Sequence, residues 1–292
     1  MPKESLALAP VRLVDKPVAV QAVIRAVPLI VLIALIYRQV IYDLVLDWWT
    51  VPSLSQGLLI PPLVVWMAWG MRARVRAAAI TPDARGLVLM AAACAILLFG
   101  QLAAEFFLSR ISLVLLLAGI TWTFWGFARL HALTFPFLLL ATMVPLPALI
   151  YNRLAAPLQL FATAVSAKLA KLAGVTVHVD GNIIQLASTT LGVEEACSGL
   201  SALSALIVGS LLIGFIQCSG LTSRLILFLL AVPVAILTNI FRVTGTALLA
   251  DYDADYALGY YHSFSGWLVF VVGFGMLYGA SRLLHRVLEG RT

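Results

Sequence analysis

Long apolar runs separated by short polar clusters dominate this chain. Eight of them are long enough, or nearly so, to cross a bilayer as helices: approximately 22–42, 57–71, 86–107, 111–127, 132–151, 197–217, 221–249 and 263–284. Pro61-Pro62 marks a first turn or a kink in the short second run, and Pro233 offers a bend in the long seventh. The pattern changes between the fifth and sixth runs. Leu154, Leu158, Phe161, Val165 and Leu169 recur at helical spacing with Arg153, Lys168 and Lys171 nearby. That spacing predicts an amphipathic helix over 152–173, either lying in the membrane interface or packed on protein alone. Alternating residues then flank Asp180-Gly181, which predicts a β-hairpin over 175–186 leading through 189–193 to Cys197. The expected fold is therefore an all-α polytopic membrane protein of about eight spans. It is read as a single domain over 1–292, with a cytoplasmic segment at 1–21 and an extracytoplasmic insertion at 152–195.

Composition agrees with this class. Hydrophobic residues make up 62% of the chain and charged residues 11%, outside the range of soluble globular proteins. The net charge of +6 does not point to nucleic acid, because the basic residues lie between apolar runs instead of forming a patch. Lys3, Arg12, Lys16 and Arg25 precede the first run, and Arg72, Arg74, Arg76 and Arg85 separate the second from the third. With eight spans, Arg129, Arg224, Arg282, Arg286 and Arg291 fall on the same side. Asp43, Asp47, Glu105, Asp180, Glu194, Glu195, Asp251, Asp253 and Asp255 collect on the other. The positive-inside rule then places both termini in the cytoplasm. The polar N-terminus lacks a signal-peptide pattern, so the first span is expected to remain as an anchor. Three cysteines make no disulfide framework, and Cys197 and Cys218 stand roughly 30 Å apart at helical rise. Cys94 reads as a small buried hydrophobe in the third span, and Trp48, Trp49 and Trp267 as an aromatic belt.

Three polar residues from different segments fall at one membrane depth in this topology: Cys197 at the start of the sixth span, Arg242 toward the outer end of the seventh, and His262 just before the eighth. A thiolate is a nucleophile, and a helix N-terminus or a nearby cation favours it. Histidine can accept the thiol proton and return it to a leaving amine. Arginine in an apolar span needs a partner or a wet cavity, and it can stabilise an oxyanion or hold a carboxylate. Asn239 and Thr246 share its helical stripe, which predicts a polar cavity there. Glu194 and Glu195 oppose a thiolate, so one of them is a candidate partner for Arg242 or His262. Each residue also has a plainer reading. Cys197 can be a small core residue, Arg242 can snorkel, and Ser198-Gly199-Leu200-Ser201 can serve close helix packing.

Asp251-Tyr252-Asp253-Ala254-Asp255 opens like a calcium loop, but Tyr256 stands where glycine is needed and His262 where a bidentate glutamate is needed. There is no zinc-spaced cluster and no glycine-rich phosphate loop, so no cofactor or metal is expected.

The order Glu195-Ala196-Cys197-Ser198-Gly199-Leu200, Asn239-Ile240-Phe241-Arg242 and His262 with Gly266-Trp267 resembles the exosortase/archaeosortase family. The resemblance implies a membrane cysteine transpeptidase of the bacterial inner membrane, with Cys197 as nucleophile, Arg242 as transition-state stabiliser and His262 as acid and base. Asn239, Glu194, Glu195 and Ser198 are supporting candidates. It further implies substrates with a C-terminal sorting tail: a Pro-Glu-Pro-like motif, a transmembrane helix and a basic cluster. The acceptor is unspecified, and the family is linked to surface-protein sorting and exopolysaccharide production. Where many members carry Ser-His-Gly, this chain has Ser55-Gln56-Gly57; Gln56 can form hydrogen bonds but cannot shuttle a proton near neutral pH. Two other classes fit the same features: an intramembrane serine protease using Ser198 with His262, and a non-catalytic subunit of a polysaccharide export system. The chain shows no inverted repeat, and its ionisable residues lie at span ends, which argues against a transporter.

Overall fold

The computed structural model describes residues 27–187, 189–192, 200–253 and 259–289. They divide into two compact units, one ending at Asp43 and the other beginning at Leu44. In the first, α1 (Val27–Ile36) meets α2 (Arg38–Thr50) at a 66° bend. The division falls within α2, whose last residues belong to the second unit.

The second unit continues with a 3-10 helix over Pro52–Leu59 and α3 (Ile60–Gly70). There follow α4 (Arg72–Ala77), α5 (Arg85–Leu102), α6 (Phe106–Trp125), α7 (Phe127–Ala132), α8 (Thr134–Ala141) and α9 (Ala148–Leu172). A three-stranded sheet, β1 (Val177–Asp180), β2 (Ile183–Leu186) and β3 (Thr190–Gly192), precedes α10 (Leu200–Gln217), α11 (Leu221–Tyr252) and α12 (Gly259–Leu284). The protein is a predominantly helical membrane protein.

Among the described residues, four helices are long and apolar enough to cross a bilayer, and the bent α1–α2 pair makes a fifth candidate. The remaining expected spans take other forms. The second is an 11-residue helix after a 3-10 segment, because Pro61 and Pro62 sit at its start, where their missing N–H groups cost nothing. The fifth is broken. α8 ends after 8 residues, about 12 Å of rise, and Pro145 and Pro147 keep residues 142–147 out of a helix. α11 is one continuous helix of 32 residues with Pro233 inside it.

Small residues set the helix seams, as expected where lipid supplies no hydrophobic drive for association. Gly86 on α5 and Gly119 on α6 pack so closely that a Cβ on Gly86 would meet the Gly119 carbonyl at 2.9 Å. α10, α11 and α12 share a core of Leu206, Ile213, Leu227, Ala231, Ala235 and Leu277. Arg72, Arg129 and Arg224 each donate to a backbone carbonyl at a helix end, those of Trp69 (3.0 Å), Ala78 (3.2 Å) and Cys218 (3.0 Å). Carbonyls that a helix terminus leaves unpaired are thereby satisfied.

Trp48 does not belong to an aromatic belt. It is buried against Gly57, and its indole N–H donates to the Met143 carbonyl at 3.2 Å. Trp49 and Trp267 are exposed.

α9 has two faces. Ala162, Thr163, Ser166, Ala167 and Ala170 are buried, and Ser166 Oγ donates to the Ile240 carbonyl of α11 at 3.2 Å. Leu154, Leu160 and Phe161 are exposed. The helix is therefore packed on protein along one side and leaves an apolar stripe on the other. The sheet beyond it is antiparallel in order β1-β2-β3, with Asp180 opposite Ile183 and Ile184 opposite Leu191. Because Asp180 is a paired strand residue, the turn is Gly181-Asn182, with Gly181 at φ +61, and not Asp180-Gly181. Its buried face, Val177, Ile184 and Leu186, packs with Ala167 and Ala170 of α9 and with Val243, Ala247 and Ala250 of α11. β3 was not expected; the segment read as a mere lead to Cys197 is the third strand.

Candidate functional site

α11 presents Arg242 half-buried at the α11–α12 seam. Its Nε lies 3.4 Å from Ser265 Oγ of α12, and a Cβ built on Gly266 would stand 3.4 Å from one of its guanidinium nitrogens. A Cβ at 266 would thus stand in ordinary contact with the guanidinium, which lies against the α12 backbone there. α12 begins at Gly259, earlier than the apolar run suggested, so His262 lies inside the helix and not just before it. Its backbone precedes Ser265 and Gly266 by three and four residues, one turn or about 5.4 Å along the same face.

Arg242 opens onto a cavity of about 400 Å³ lined by Leu237, Thr238, Phe241, Gly245, Thr246 and Leu249 of α11 and by Ser265, Leu268, Val269, Val272 and Met276 of α12. Most of that lining is apolar, so the polar cavity expected along the Asn239–Arg242–Thr246 stripe is not what α11 presents. Asn239 is buried away from it, 2% exposed, while Arg242 and Thr246 line it.

A second cavity, of about 430 Å³, opens beside the first turns of α10. Ser201, Leu203, Ser204 and Ile207 form one wall, and the rest comes from the 3-10 segment, α6, residues 141–146 and the start of α9. Gln56 Nε2 donates to Ser204 Oγ at 2.8 Å, and Ser204 Oγ donates in turn to the Ser201 carbonyl at 2.9 Å. Because the serine's one proton is committed to Ser201, its oxygen must accept from Gln56, which settles which end of the amide faces it.

Cys197, Glu194, Glu195 and Ser198 lie outside the described residues, as does the Ala254–Asp255 part of the aspartate-rich stretch. Cys218 is buried at the end of α10, but Cys94 is exposed on α5 and not buried as expected: an apolar run does not say which of its faces meets the bundle. Among the described residues no three of His, Cys, Asp and Glu gather as metal ligands.

Sequence reasoning passed over Arg110. Its side chain is 8% exposed near the start of α6, over the Phe106 ring, and it pairs with Asp47 at 2.6 Å. The signal was available, since an arginine flanked by Phe106, Phe107, Leu108 and Ile111 needs a partner.

A model of the transmembrane exosortase family matches residues 48–279. No curated protein and no solved structure matches the chain.

Proposed function

Because the chain belongs to the transmembrane exosortase family, we propose that it is a membrane-embedded cysteine protease and transpeptidase acting on C-terminal sorting tails of exported proteins. The observation that carries this reading is the seating of Arg242 against Ser265 and Gly266, one helical turn from His262. Two residues distant in the chain thereby come to adjacent turns of neighbouring helices, as an acid/base and an oxyanion donor require.

In this reading the Cys197 thiol gives its proton to His262, and its sulfur attacks the carbonyl carbon of the scissile peptide bond. The carbonyl electrons move onto oxygen, where the Arg242 guanidinium stabilises the negative charge. Collapse of the intermediate breaks the C–N bond, and the departing amine takes the proton from His262. A thioester to Cys197 remains. An acceptor amine, or water, gives a proton to His262 as it attacks the thioester carbon; the C–S bond breaks, and the proton returns from His262 to the sulfur. Glu194 or Glu195 orients His262 or pairs with Arg242. The tail's transmembrane helix holds the motif at the depth of the site, which raises the effective concentration of a weak encounter. The site faces outward from a bacterial inner membrane, with both termini cytoplasmic. The arginines that cap α3, α4 and α10 all belong to the cytoplasmic set of that topology.

The test is a processing assay in membranes. A reporter ending in a Pro-Glu-Pro-like motif, an apolar helix and an arginine cluster is co-expressed with the intact chain, with Cys197→Ala and with Ser198→Ala. Processing that needs Cys197 but not Ser198 supports the cysteine mechanism, and the mass of the new C-terminus separates transfer from hydrolysis. Processing that survives Cys197→Ala overturns it.

A further inference from the structure

The cavity beside α10 stands close to the proposed nucleophile by chain connectivity alone. Ser201 in its wall follows Cys197 by four residues, a reach of at most about 14 Å. Its volume lies in the range of pockets that hold small ligands and short peptide segments, roughly 300–1,000 Å³. Among the described residues, none that lines it is charged. Its walls do carry hydrogen-bonding side chains: Ser53, Gln56, Thr142, Tyr151, Ser201 and Ser204.

That mixture discriminates between occupants. Thr142 and Ser204 already donate to backbone carbonyls, so the wall's open group is the Gln56 carbonyl, which a lipid acyl chain would cover and leave without a donor. An extended peptide brings an N–H and a C=O with every residue. A charged side chain would find no counter-ion among the described residues of the wall. Gln56 is the best-placed recognition group. Its amide nitrogen is held by Ser204, and among the described residues its Oε1 accepts no hydrogen bond. Held this way, the carbonyl is a fixed acceptor at the cavity wall.

We propose that this cavity binds an uncharged, extended segment of the substrate beside the scissile bond, on the side away from the glutamate of the Pro-Glu-Pro-like motif, and that Gln56 accepts a hydrogen bond from a backbone N–H of that segment. The assignment rests on the cysteine-peptidase reading. Gln56 is then a specificity and positioning residue, coupled through Ser204 to the first turn of α10.

The experiment uses the full chain in membranes with a photo-crosslinking residue in place of Ile207 or Leu154, both of which line the cavity. The reporter tail is the probe, scanned one residue at a time with Asp and Lys. The expected result is crosslinking to the reporter on one side of the cleaved bond. The same window should reject Asp and Lys. Gln56→Met should raise the half-saturating reporter level about tenfold with little change in maximal rate, and Gln56→Glu should not rescue it, since a carboxylate cannot accept a substrate N–H and also donate to Ser204 as the amide does. Crosslinking to lipid, or processing indifferent to charges throughout the tail and to Gln56→Met, overturns the proposal. Crosslinking to the reporter by a chain that never cleaves it would retain the binding site and sink the peptidase reading instead.

Discussion

Ser166 and Ile240 are joined by a hydrogen bond from a side chain of α9 to a backbone carbonyl of α11, 3.2 Å long and fully buried. The Ile240 carbonyl also accepts the N–H of Thr244 in the helix ladder, so both its lone pairs are occupied. A threonine in a helix commonly turns its hydroxyl to the carbonyl four residues back. Thr244 finds that carbonyl taken, and its Oγ1 is buried without a partner among the described residues.

Thr244→Val should therefore be neutral or stabilising, since it removes a buried unsatisfied hydroxyl. Ser166→Ala should cost less than about 1 kcal/mol, because Thr244 can rotate into the vacated position. In the Ser166→Ala background, Thr244→Val should become destabilising. Thermal unfolding of the four proteins in detergent reads this reversal of sign; strict additivity would show that the two hydroxyls do not compete.

The Arg110–Asp47 pair makes a different prediction. Asp47→Ala leaves a buried guanidinium without its counter-ion and should cost about 3–5 kcal/mol. Arg110→Met with Asp47→Asn should cost much less, because no charge is then stranded. Arg110→Lys should not restore the original stability, since an ammonium is more strongly hydrated and cannot reproduce the planar contact over Phe106. Denaturation midpoints in one detergent would rank these variants.

At Gly57 the constraint is steric. A Cβ there would run into the indole of Trp48, and neither group has room to move. Gly57→Ala should destabilise by about 1–3 kcal/mol. Trp48→Leu costs stability alone, but in that background the alanine should be nearly harmless, a non-additivity that a double-mutant cycle measures.

In the proposed mechanism Arg242 bears on activity and not on folding. Arg242→Gln should lower processing by about a hundredfold or more while leaving expression and thermal stability close to those of the parent, and Arg242→Lys should recover only part of the rate. Gly266→Val, which crowds the guanidinium, should lower the rate with Arg242 intact. Initial processing rates against measured protein levels decide this; unchanged rates would remove Arg242 from the chemistry.

Much of this architecture is legible in a single chain because the bilayer allows so few solutions. The long apolar runs become α5, α6, α11 and α12, and the family resemblance carried by the Cys-Arg-His order agrees with the family match over 48–279. Periodicity finds α9 as an amphipathic helix, and β-branched alternation finds the hairpin. What escapes is decided between elements. Trp48 looks like an interfacial tryptophan until Gly57 and Met143 enclose it, and Cys94 looks buried until α5 turns that face outward. The break at 142–147 lies in a run apolar enough to be read as a span, although Pro145 and Pro147 announce it. The Thr190–Gly192 strand is too short to declare itself, and it forms because β2 offers an edge.

That small sheet has a consequence for how the two halves of the proposed chemistry keep time. Its buried face is bolted to Val243, Ala247 and Ala250, on the same helix as Arg242, and its last strand ends at Gly192, five residues before Cys197. In the proposed mechanism the sheet ties the chain that leads to the nucleophile to the helix that carries the cation. A lengthened β1–β2 turn should leave enzyme function untouched, whereas one residue inserted between Gly192 and Cys197 should cripple it, with every reactive group still present.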